Sequence, residues 1–384
     1  MRVGLLTDCY KPLVNGVTHF VSLHRKVLDA WGHEPYVFTL GNCDYQDRDP
    51  RVIRSPAAPL AQTGYHLAMR HSRTAREVAE TMDVLHVQHP FMAGRQAISL
   101  ARKADIPLVF TNHSQYRRVA PYYLPSVLHE LSDAALRAYL RSFFAQCDLV
   151  VAPSQGVARS LKDMRTTAPI EVIPNGIEVD RWSNPTAPVS GADLGLPADA
   201  CVAIAVTRLA PEKNLPFLLD ALRRAAATSP DLHLVLVGRG PSRERLEQIV
   251  HDTGQEDRVH FVGEIAYEEV PNWLALADFF AIASRTEGHP LVVLEALAAG
   301  LPVVGVAATG IEDTVRDGSN GLLSPEEVDA FALHMARLAT DGELRSRLAN
   351  GARRSRRRVD IRNTTERLLS HYERLIDARR GNGV

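Results

Sequence analysis

Two glutamates, Glu287 and Glu295, stand eight positions apart in Glu287-Gly288-His289-Pro290-Leu291-Val292-Val293-Leu294-Glu295, an apolar stretch with little packing use for either carboxylate. The run before them, Phe279-Phe280-Ala281-Ile282-Ala283, reads as a buried strand, and Leu291 to Ala299 has the leucine and alanine content of a helix. Glu287 therefore falls on a strand-to-helix loop, and a separation of slightly more than two helical turns lets both carboxylates face one hollow and accept hydrogen bonds from different hydroxyls of a polyol. Gly288 lets a ligand approach the backbone. Pro290 fits the first turn of the helix, whose free N–H groups from His289 to Val292 and positive dipole end would face an anion. Carboxylates for hydroxyls beside amides for phosphate suggest a nucleotide sugar. Taken alone, the two glutamates also fit a loop cap and a solvated helix residue, so the rest of the chain has to decide.

The elements that would position them follow one grammar. Short apolar runs recur at Val3–Leu6, Tyr36–Leu40, Val84–Val87, Leu108–Thr111, Leu149–Ala152 and Val172–Ile173, then at Val202–Val206, Leu232–Val237, Val259–Val262, Phe279–Ile282, Val303–Val306 and Leu322–Leu323, with helix-length segments between. That alternation predicts parallel sheets in two doubly wound α/β domains. The 384 residues are enough for two cores. The Pro-, Ser- and Asn-containing stretch Arg181 to Ala200 reads as a linker, giving an N-terminal domain over 1–184, a C-terminal domain over 185–363 and a terminal helix over 364–384. Ligands of such sheets bind beyond the carboxyl ends of the strands.

Charge and cysteine content remove several function classes. Lysine and arginine total 44 against 45 acidic residues, which leaves no excess field for nucleic acid. Cys9, Cys43, Cys147 and Cys201 are scattered without a Cys-x-x-Cys pair, which fits neither a disulfide framework nor a zinc module and suits a reducing cytoplasm. Met1-Arg2 runs straight into a strand, with no room for a signal peptide, and the apolar run from Leu291 to Ala308 is broken by Glu295, Gly300 and Pro302. His86 and His89 have no adjacent acidic partner, so no metal site is expected there.

After the first strand of the second half, Arg208 and Lys213 place two cations on one strand-to-helix loop. Arginine offers a fork for phosphate oxygens and lysine a compact charge, a combination suited to the charge that develops on a departing diphosphate. Gly238-Arg239-Gly240 follows the next strand, where backbone can approach phosphate closely. The third glycine of a nicotinamide dinucleotide fingerprint is missing.

Together with Ala296-Leu297-Ala298-Ala299-Gly300-Leu301-Pro302 and Asn320-Gly321-Leu322-Leu323, these segments resemble the retaining nucleotide-sugar glycosyltransferases of family 4, over nearly the whole chain. The resemblance implies the GT-B fold, two Rossmann-like doubly wound domains facing across a cleft. It also implies that Arg208 and Lys213 hold the diphosphate, that Glu287 contacts the transferred sugar, that Glu295 holds the ribose diol, and that Gly16, Gly238, Gly240 and the segment Gly288, His289, Pro290, Leu291 and Val292 complete the donor site. His113 in Thr111-Asn112-His113-Ser114 resembles the histidine that the family places beside the sugar, and Asn15-Gly16 resembles its first glycine-rich loop. Asn15, Tyr116 and Tyr122 are the expected acceptor contacts. No metal or cofactor is implied, the nucleotide sugar being a co-substrate.

The run from Gln88-His89-Pro90-Phe91 to Tyr122-Tyr123-Leu124 looks most like enzymes that glucosylate diacylglycerol. A lipid acceptor calls for a surface that meets anionic membrane, for which Tyr65 to Arg76 and Arg353-Arg354-Ser355-Arg356-Arg357-Arg358 are candidates. The expectation is therefore a retaining hexosyltransferase, cytoplasmic or peripheral on the inner membrane face, using a UDP- or GDP-sugar and a lipid or small-molecule hydroxyl acceptor. Transfer to a soluble sugar or metabolite, and a nucleotide-sugar-binding protein without turnover, are the alternatives.

Overall fold

The computed structural model describes residues 1–13, 15–59, 66–68, 70–122 and 129–381; Tyr65, Tyr123, Leu124 and the side chain of Arg357, all invoked above, lie outside the described set. The chain divides into two compact units, one formed by Met1–Gly176 with the segment from Ile361 onward, the other by Ile177–Asp360.

In unit 1 the strands are β1 (Arg2–Leu6), β2 (Glu34–Leu40), β3 (Val52–Ser55), β4 (Ala58–Pro59), β5 (His66–Leu67), β6 (Val84–Val87), β7 (Leu108–Thr111), β8 (Leu149–Ala152) and β9 (Ile170–Val172). Seven of them form a sheet in the order β3-β2-β1-β6-β7-β8-β9, parallel at every pairing, while β4 and β5 make a separate antiparallel pair. Every residue of β6, β7 and β8 is buried. A parallel strand covered on both faces loses the polar alternation of a half-exposed one, which is why these segments read as unbroken apolar runs. The edge strand β3 and the β4–β5 pair carry no such run.

The helix Ile361–Gly381 belongs to unit 1 because it has a polar and an apolar attachment there. Ile361, Leu368, Tyr372 and Ile376 are buried at helical spacing, and Leu368, Tyr372 and Ile376 join the core formed with Phe20 and Leu28 of the helix Gly16–Ala30. Tyr372 Oη lies 3.1 Å from His24 Nε2 and 2.5 Å from His86 Nδ1, His24 Nδ1 meets Thr365 Oγ1 at 3.0 Å, and His86 Nε2 meets Thr111 Oγ1 at 2.7 Å. Burial holds both imidazoles in the neutral form, that of His24 with its pKa lowered to about 3. A neutral imidazole has one donor and one acceptor nitrogen, so a hydroxyl that donates to one ring and accepts from the other completes the chain of bonds.

Unit 2 contains β10 (Cys201–Val206), β11 (Leu232–Val237), β12 (Val259–Gly263), β13 (Phe279–Ile282), β14 (Val303–Val306) and β15 (Gly321–Ser324), ordered β12-β11-β10-β13-β14-β15 and again all parallel. The stretch after Arg181 that reads as a linker is packed into this unit. Trp182 is buried with Leu196 in the same core as Ile204 and Leu294, and Asn272 fastens the segment by accepting from Ala187 N at 3.0 Å and Val189 N at 3.1 Å. Proline, serine and asparagine remove regular secondary structure without removing burial. Among the described residues no helix is long and apolar enough to cross a membrane.

Tyr372→Phe removes a hydroxyl that two buried rings share. The variant is expected to lose about 2 kcal/mol of stability, read as a lower urea midpoint; an unchanged midpoint would show that the network contributes nothing.

Candidate active site

In each sheet the chain first builds to one side of its opening strand and then crosses to the other, so the strand-end loops diverge at β1 and β6 in unit 1 and at β10 and β13 in unit 2. These are the topological switch points at which open α/β sheets hold ligands. Arg208 and Lys213 follow β10 and Glu287 follows β13, so they flank the unit 2 switch.

The loops that carry them are fastened to one another. Leu209 N donates to Arg239 O at 3.0 Å and Ser242 N to Leu209 O at 2.9 Å, joining the loops after β10 and β11. This approach needs Gly238 and Gly240: a Cβ would stand 2.0 Å from Thr207 O at the first, where φ is +136°, and 2.3 Å from Leu209 O at the second. Asn214 Nδ2 donates to Ala283 O at 3.3 Å and Ser284 Oγ to Glu212 O at 3.3 Å, joining the loops after β10 and β13. Lys213 lies in the single turn Pro211–Lys213, and its Nζ meets Glu287 Oε1 at 2.7 Å with both side chains largely buried. Burial alone would raise the Glu287 carboxyl; the Lys213 ammonium and the Ser284 hydroxyl outweigh it and hold the group below its ordinary value. Arg208 is half exposed and 3.3 Å from the buried Glu212, so its guanidinium is accessible to a ligand.

Glu295 has a different environment. It lies in the helix Leu291–Ala299, which follows Pro290 at the N-cap, has no side-chain cap and ends at Gly300 with φ +91°. Glu295 is buried in this otherwise apolar helix and accepts from Tyr267 Oη at 2.7 Å. Burial raises its carboxyl to about 7, against the opposing pull of Tyr267 and Arg181. The Arg181 guanidinium stacks 4.5 Å from the Tyr267 ring centre, and Trp182 meets the same ring edge-on at 5.5 Å. His289 is buried and neutral, its imidazole lowered to about 4 by desolvation. Sequence reasoning named neither Tyr267 nor Ser284, and read Arg181 as linker; Ser284, following β13 directly, was the one with a positional signal.

The unit 1 residues divide differently. Asn15 caps the helix Gly16–Ala30, its Oδ1 accepting from Val17 N at 3.0 Å and Thr18 N at 2.9 Å and its Nδ2 donating to Cys9 Sγ at 3.7 Å. Asn15 thus sets the position of Gly16, the first residue of that helix. His113 follows β7, and its Nε2 is 2.7 Å from Gln88 Oε1 while Gln88 Nε2 donates to His86 O at 3.2 Å. That second bond orients the amide, so His113 carries its proton on Nε2 and presents Nδ1 as an acceptor. Desolvation, then His89, lower the His113 imidazole to about 3, so it is uncharged at neutral pH. Tyr116 opens the short helix Tyr116–Val119 and packs edge-on against Phe91 at 5.4 Å, and Tyr122 ends the turn Ala120–Tyr122 half-buried. His86 and His89 are both buried with hydroxyl or backbone partners, and no group of three or more His, Cys, Asp or Glu suited to a metal occurs among the described residues. Of the arginine-rich run, Arg356 Nε donates to Ala298 O at 2.6 Å, closing the carboxyl end of the Glu295 helix, while Arg354 and Arg358 are exposed.

Two outcomes follow from the carboxylates. Lys213→Ala strands Glu287 where burial pushes its pKa up. The wild-type pair keeps its full contribution down to the unfolded carboxylate value near 4.5 and loses it only below that, whereas the stranded carboxyl of the variant, raised by burial, takes up a proton as pH falls toward 4.5; the variant's deficit, about 3 kcal/mol at pH 8, should therefore shrink toward pH 5. Adding Glu287→Gln should restore stability; urea unfolding across pH reads both. Glu295 has the opposite sign: its raised pKa gives stability that is full below the unfolded value near 4.5 and is lost as pH rises through about 7. Glu295→Gln should therefore unfold roughly 2–4 °C above wild type at pH 8 and show no gain at pH 5; a pH-independent difference would contradict the raised value.

Residues 190–355 match the family described as Glycosyl transferases group 1, and residues 14–181 match Glycosyltransferase Family 4. The chain is 30% identical over 350 residues to the alpha-monoglucosyldiacylglycerol synthase of Streptococcus pneumoniae, covering 88% of this chain and 79% of that protein. Among solved structures it superposes on a sucrose-phosphate synthase from Thermosynechococcus elongatus with TM-score 0.79 at 22% identity, covering 98% and 99% of the two chains. It also superposes on Anabaena HepE, solved in complex with UDP-glucose, with TM-score 0.73 at 21% identity, covering 97% and 99%. Two all-parallel units with their switch-point loops in these places, and a sequence match running through both, identify the chain as a glycosyltransferase of family 4 with the GT-B fold.

Proposed function

We propose that this enzyme transfers a hexose from a UDP- or GDP-sugar to a hydroxyl acceptor with retention at the anomeric carbon. The observation that carries the reading is the Lys213–Glu287 pair, a carboxylate kept ionised in a nearly dry setting among glycine-shaped loops and beside a half-exposed arginine. Arg208 and Lys213 hold the diphosphate and stabilise the charge it gains as the glycosidic bond to it breaks. Glu287 accepts from hydroxyls of the transferred sugar, and Glu295 from the ribose diol. Gly238, Gly240 and the backbone from Gly288 to Val292 frame the phosphates. In unit 1, Gly16 is assigned to the donor, the neutral His113 accepts from a sugar hydroxyl through Nδ1, and Asn15, Tyr116 and Tyr122 belong to the acceptor side.

With no base of suitable pKa assigned to the acceptor, the leaving diphosphate oxygen takes the acceptor proton as the new C–O bond forms on the face that the diphosphate leaves. The protein's share is geometry and charge. The acceptor we favour is the hydroxyl of a diacylglycerol-type lipid, by likeness to the Streptococcus pneumoniae synthase. The enzyme would then work peripherally on the cytoplasmic membrane face, with the exposed Arg70, Arg73, Arg354 and Arg358 available to anionic lipid.

Glu287→Gln should leave the fold intact and cut turnover by at least about a hundredfold, read by nucleotide release from UDP-glucose or GDP-mannose. Full activity in this variant would remove Glu287 from the site. NMR of the product should show the anomeric configuration of the donor, and an inverted product would overturn the retaining mechanism.

A further inference from the structure

Glu295 is the single polar residue of the helix Leu291–Ala299, so its own helix offers no donor or charge to orient it. A glutamate has three side-chain torsions, the last of them soft, and its carboxylate takes one orientation only where a donor selects it. That donor comes from another part of unit 2. Tyr267 opens the single turn Tyr267–Glu269 that follows β12, and Ala266 N, donating to Glu269 Oε2 at 3.1 Å, fastens the turn at its start. From there Tyr267 Oη reaches Glu295 Oε1 at 2.7 Å, a charge-assisted bond whenever the carboxylate is ionised.

The phenol is itself held on two sides. The Arg181 guanidinium stands 4.5 Å from the ring centre, and Trp182 meets the ring edge-on at 5.5 Å. Both come from the helix Val179–Ser183, which packs against the Glu295 helix, and Glu268 Oε1 lies 3.7 Å from the same guanidinium. A cation over the face of a phenol draws charge from the ring and makes the O–H a better donor. Other charged groups are few around Glu295. Glu178, at the start of the helix Val179–Ser183, acts on Tyr267; the helix Val270–Leu274 has no titratable side chain; and the buried His289 is neutral. Arg353 and Arg356 approach the far end of the Glu295 helix, beside Gly300 and Ala298. Burial raises the Glu295 carboxyl to about 7, and Tyr267, then Arg181, pull it back toward the ionised form.

We propose that Tyr267 is a positioning residue of the donor site: its hydroxyl takes Oε1 of Glu295 and turns Oε2 toward the ribose diol, and Arg181 on the ring face strengthens that hold. This role rests on Glu295 being the ribose contact, as proposed above.

The test measures binding of UDP or GDP, whichever the full chain binds, and of its 2′-deoxy analogue, over about two pH units either side of neutrality. The titration of the diphosphate is common to both ligands and cancels in the ratio of their affinities. In the wild type that ratio should favour the ribonucleotide roughly tenfold at high pH and decline as pH falls through about 7, because a protonated Glu295 accepts fewer hydrogen bonds. Tyr267→Phe keeps the ring and its two supports but removes the donor. It should cut the ratio roughly fivefold and move its midpoint upward by about one pH unit, since the ionised carboxylate has lost a partner. Arg181→Met should move the midpoint in the same direction by less, and it carries the test if circular dichroism shows that Tyr267→Phe has not folded. A structural tyrosine would weaken both ligands equally and leave ratio and midpoint as in the wild type, which overturns the proposal; so does tighter binding in Tyr267→Phe, which would make the phenol an obstruction. Glu295→Ala separates the two readings. If it abolishes the ratio while Tyr267→Phe does not change it, Tyr267 alone loses its role. If the wild type does not discriminate, Glu295→Ala still does, or neither nucleotide binds, the ribose contact fails and the role of Tyr267 with it.

Discussion

An ionised carboxylate in a nearly dry setting has to be held by something, and in this enzyme the Lys213–Glu287 contact does that while joining two loops that come from strands on either side of the unit 2 switch point. Such a pair is a poor device for stability. Desolvating both charges costs about as much as their attraction returns, and apolar residues of the same volume would serve the fold as well. Under the proposed function its presence has a chemical reason, because an ammonium and a carboxylate would be the two complements of a sugar diphosphate. The surrounding geometry is arranged about it: the Ser284 hydroxyl can be offered to either Glu287 or Glu212 O, Asn214 ties the β10 and β13 loops together, and Gly238 and Gly240 let the β11 loop close in.

The second carboxylate shows how the same residue type is given another property. Glu295 is about two helical turns from Glu287, yet burial pushes it up to about 7, because its neighbours are a phenol and a stacked guanidinium in place of a contacting ammonium. One glutamate is fixed as an acceptor at every working pH, while the other changes protonation near neutrality. A group in that state accepts hydrogen bonds when ionised and costs little to bury when neutral.

Much of this was legible in the sequence, for reasons that also explain what was not. Central strands of a parallel sheet are buried on both faces, so β6 to β8, β10, β13 and β14 are apolar runs whose ends locate the loops, and Arg208, Lys213 and Glu287 could be placed on those loops by position alone. The edge strand β3 lacked that signal. Tyr267 and Arg181 were hidden because their relation to Glu295 is made by folding across long sequence separations, with no local spacing to betray it. The stretch containing Trp182 was misleading: its Pro and Ser content reports irregular backbone, whereas a buried tryptophan reports a core. Asn15 has a structural role that its loop position did not announce, capping the helix that Gly16 opens.

The two units also differ in how they handle charge near their switch points. Unit 2 uses full charges, Arg208, Lys213 and Glu287, each close to an opposite one. Around β6 and β7, unit 1 uses neutral imidazoles, with His24, His86, His89 and His113 all lowered by burial and tied together by hydroxyls and an amide. Fixed charges suit a leaving group whose charge grows during the reaction. Neutral donors and acceptors suit hydroxyls that must be oriented without being ionised, and a buried network in which both nitrogens of His24 and of His86 are bonded has few other arrangements available to it. The terminal helix enters that network through Tyr372 and Thr365, so the ring orientations of His24 and His86 depend on residues far along the chain. The helix is thereby part of the polar network around β6, as well as part of the core it covers.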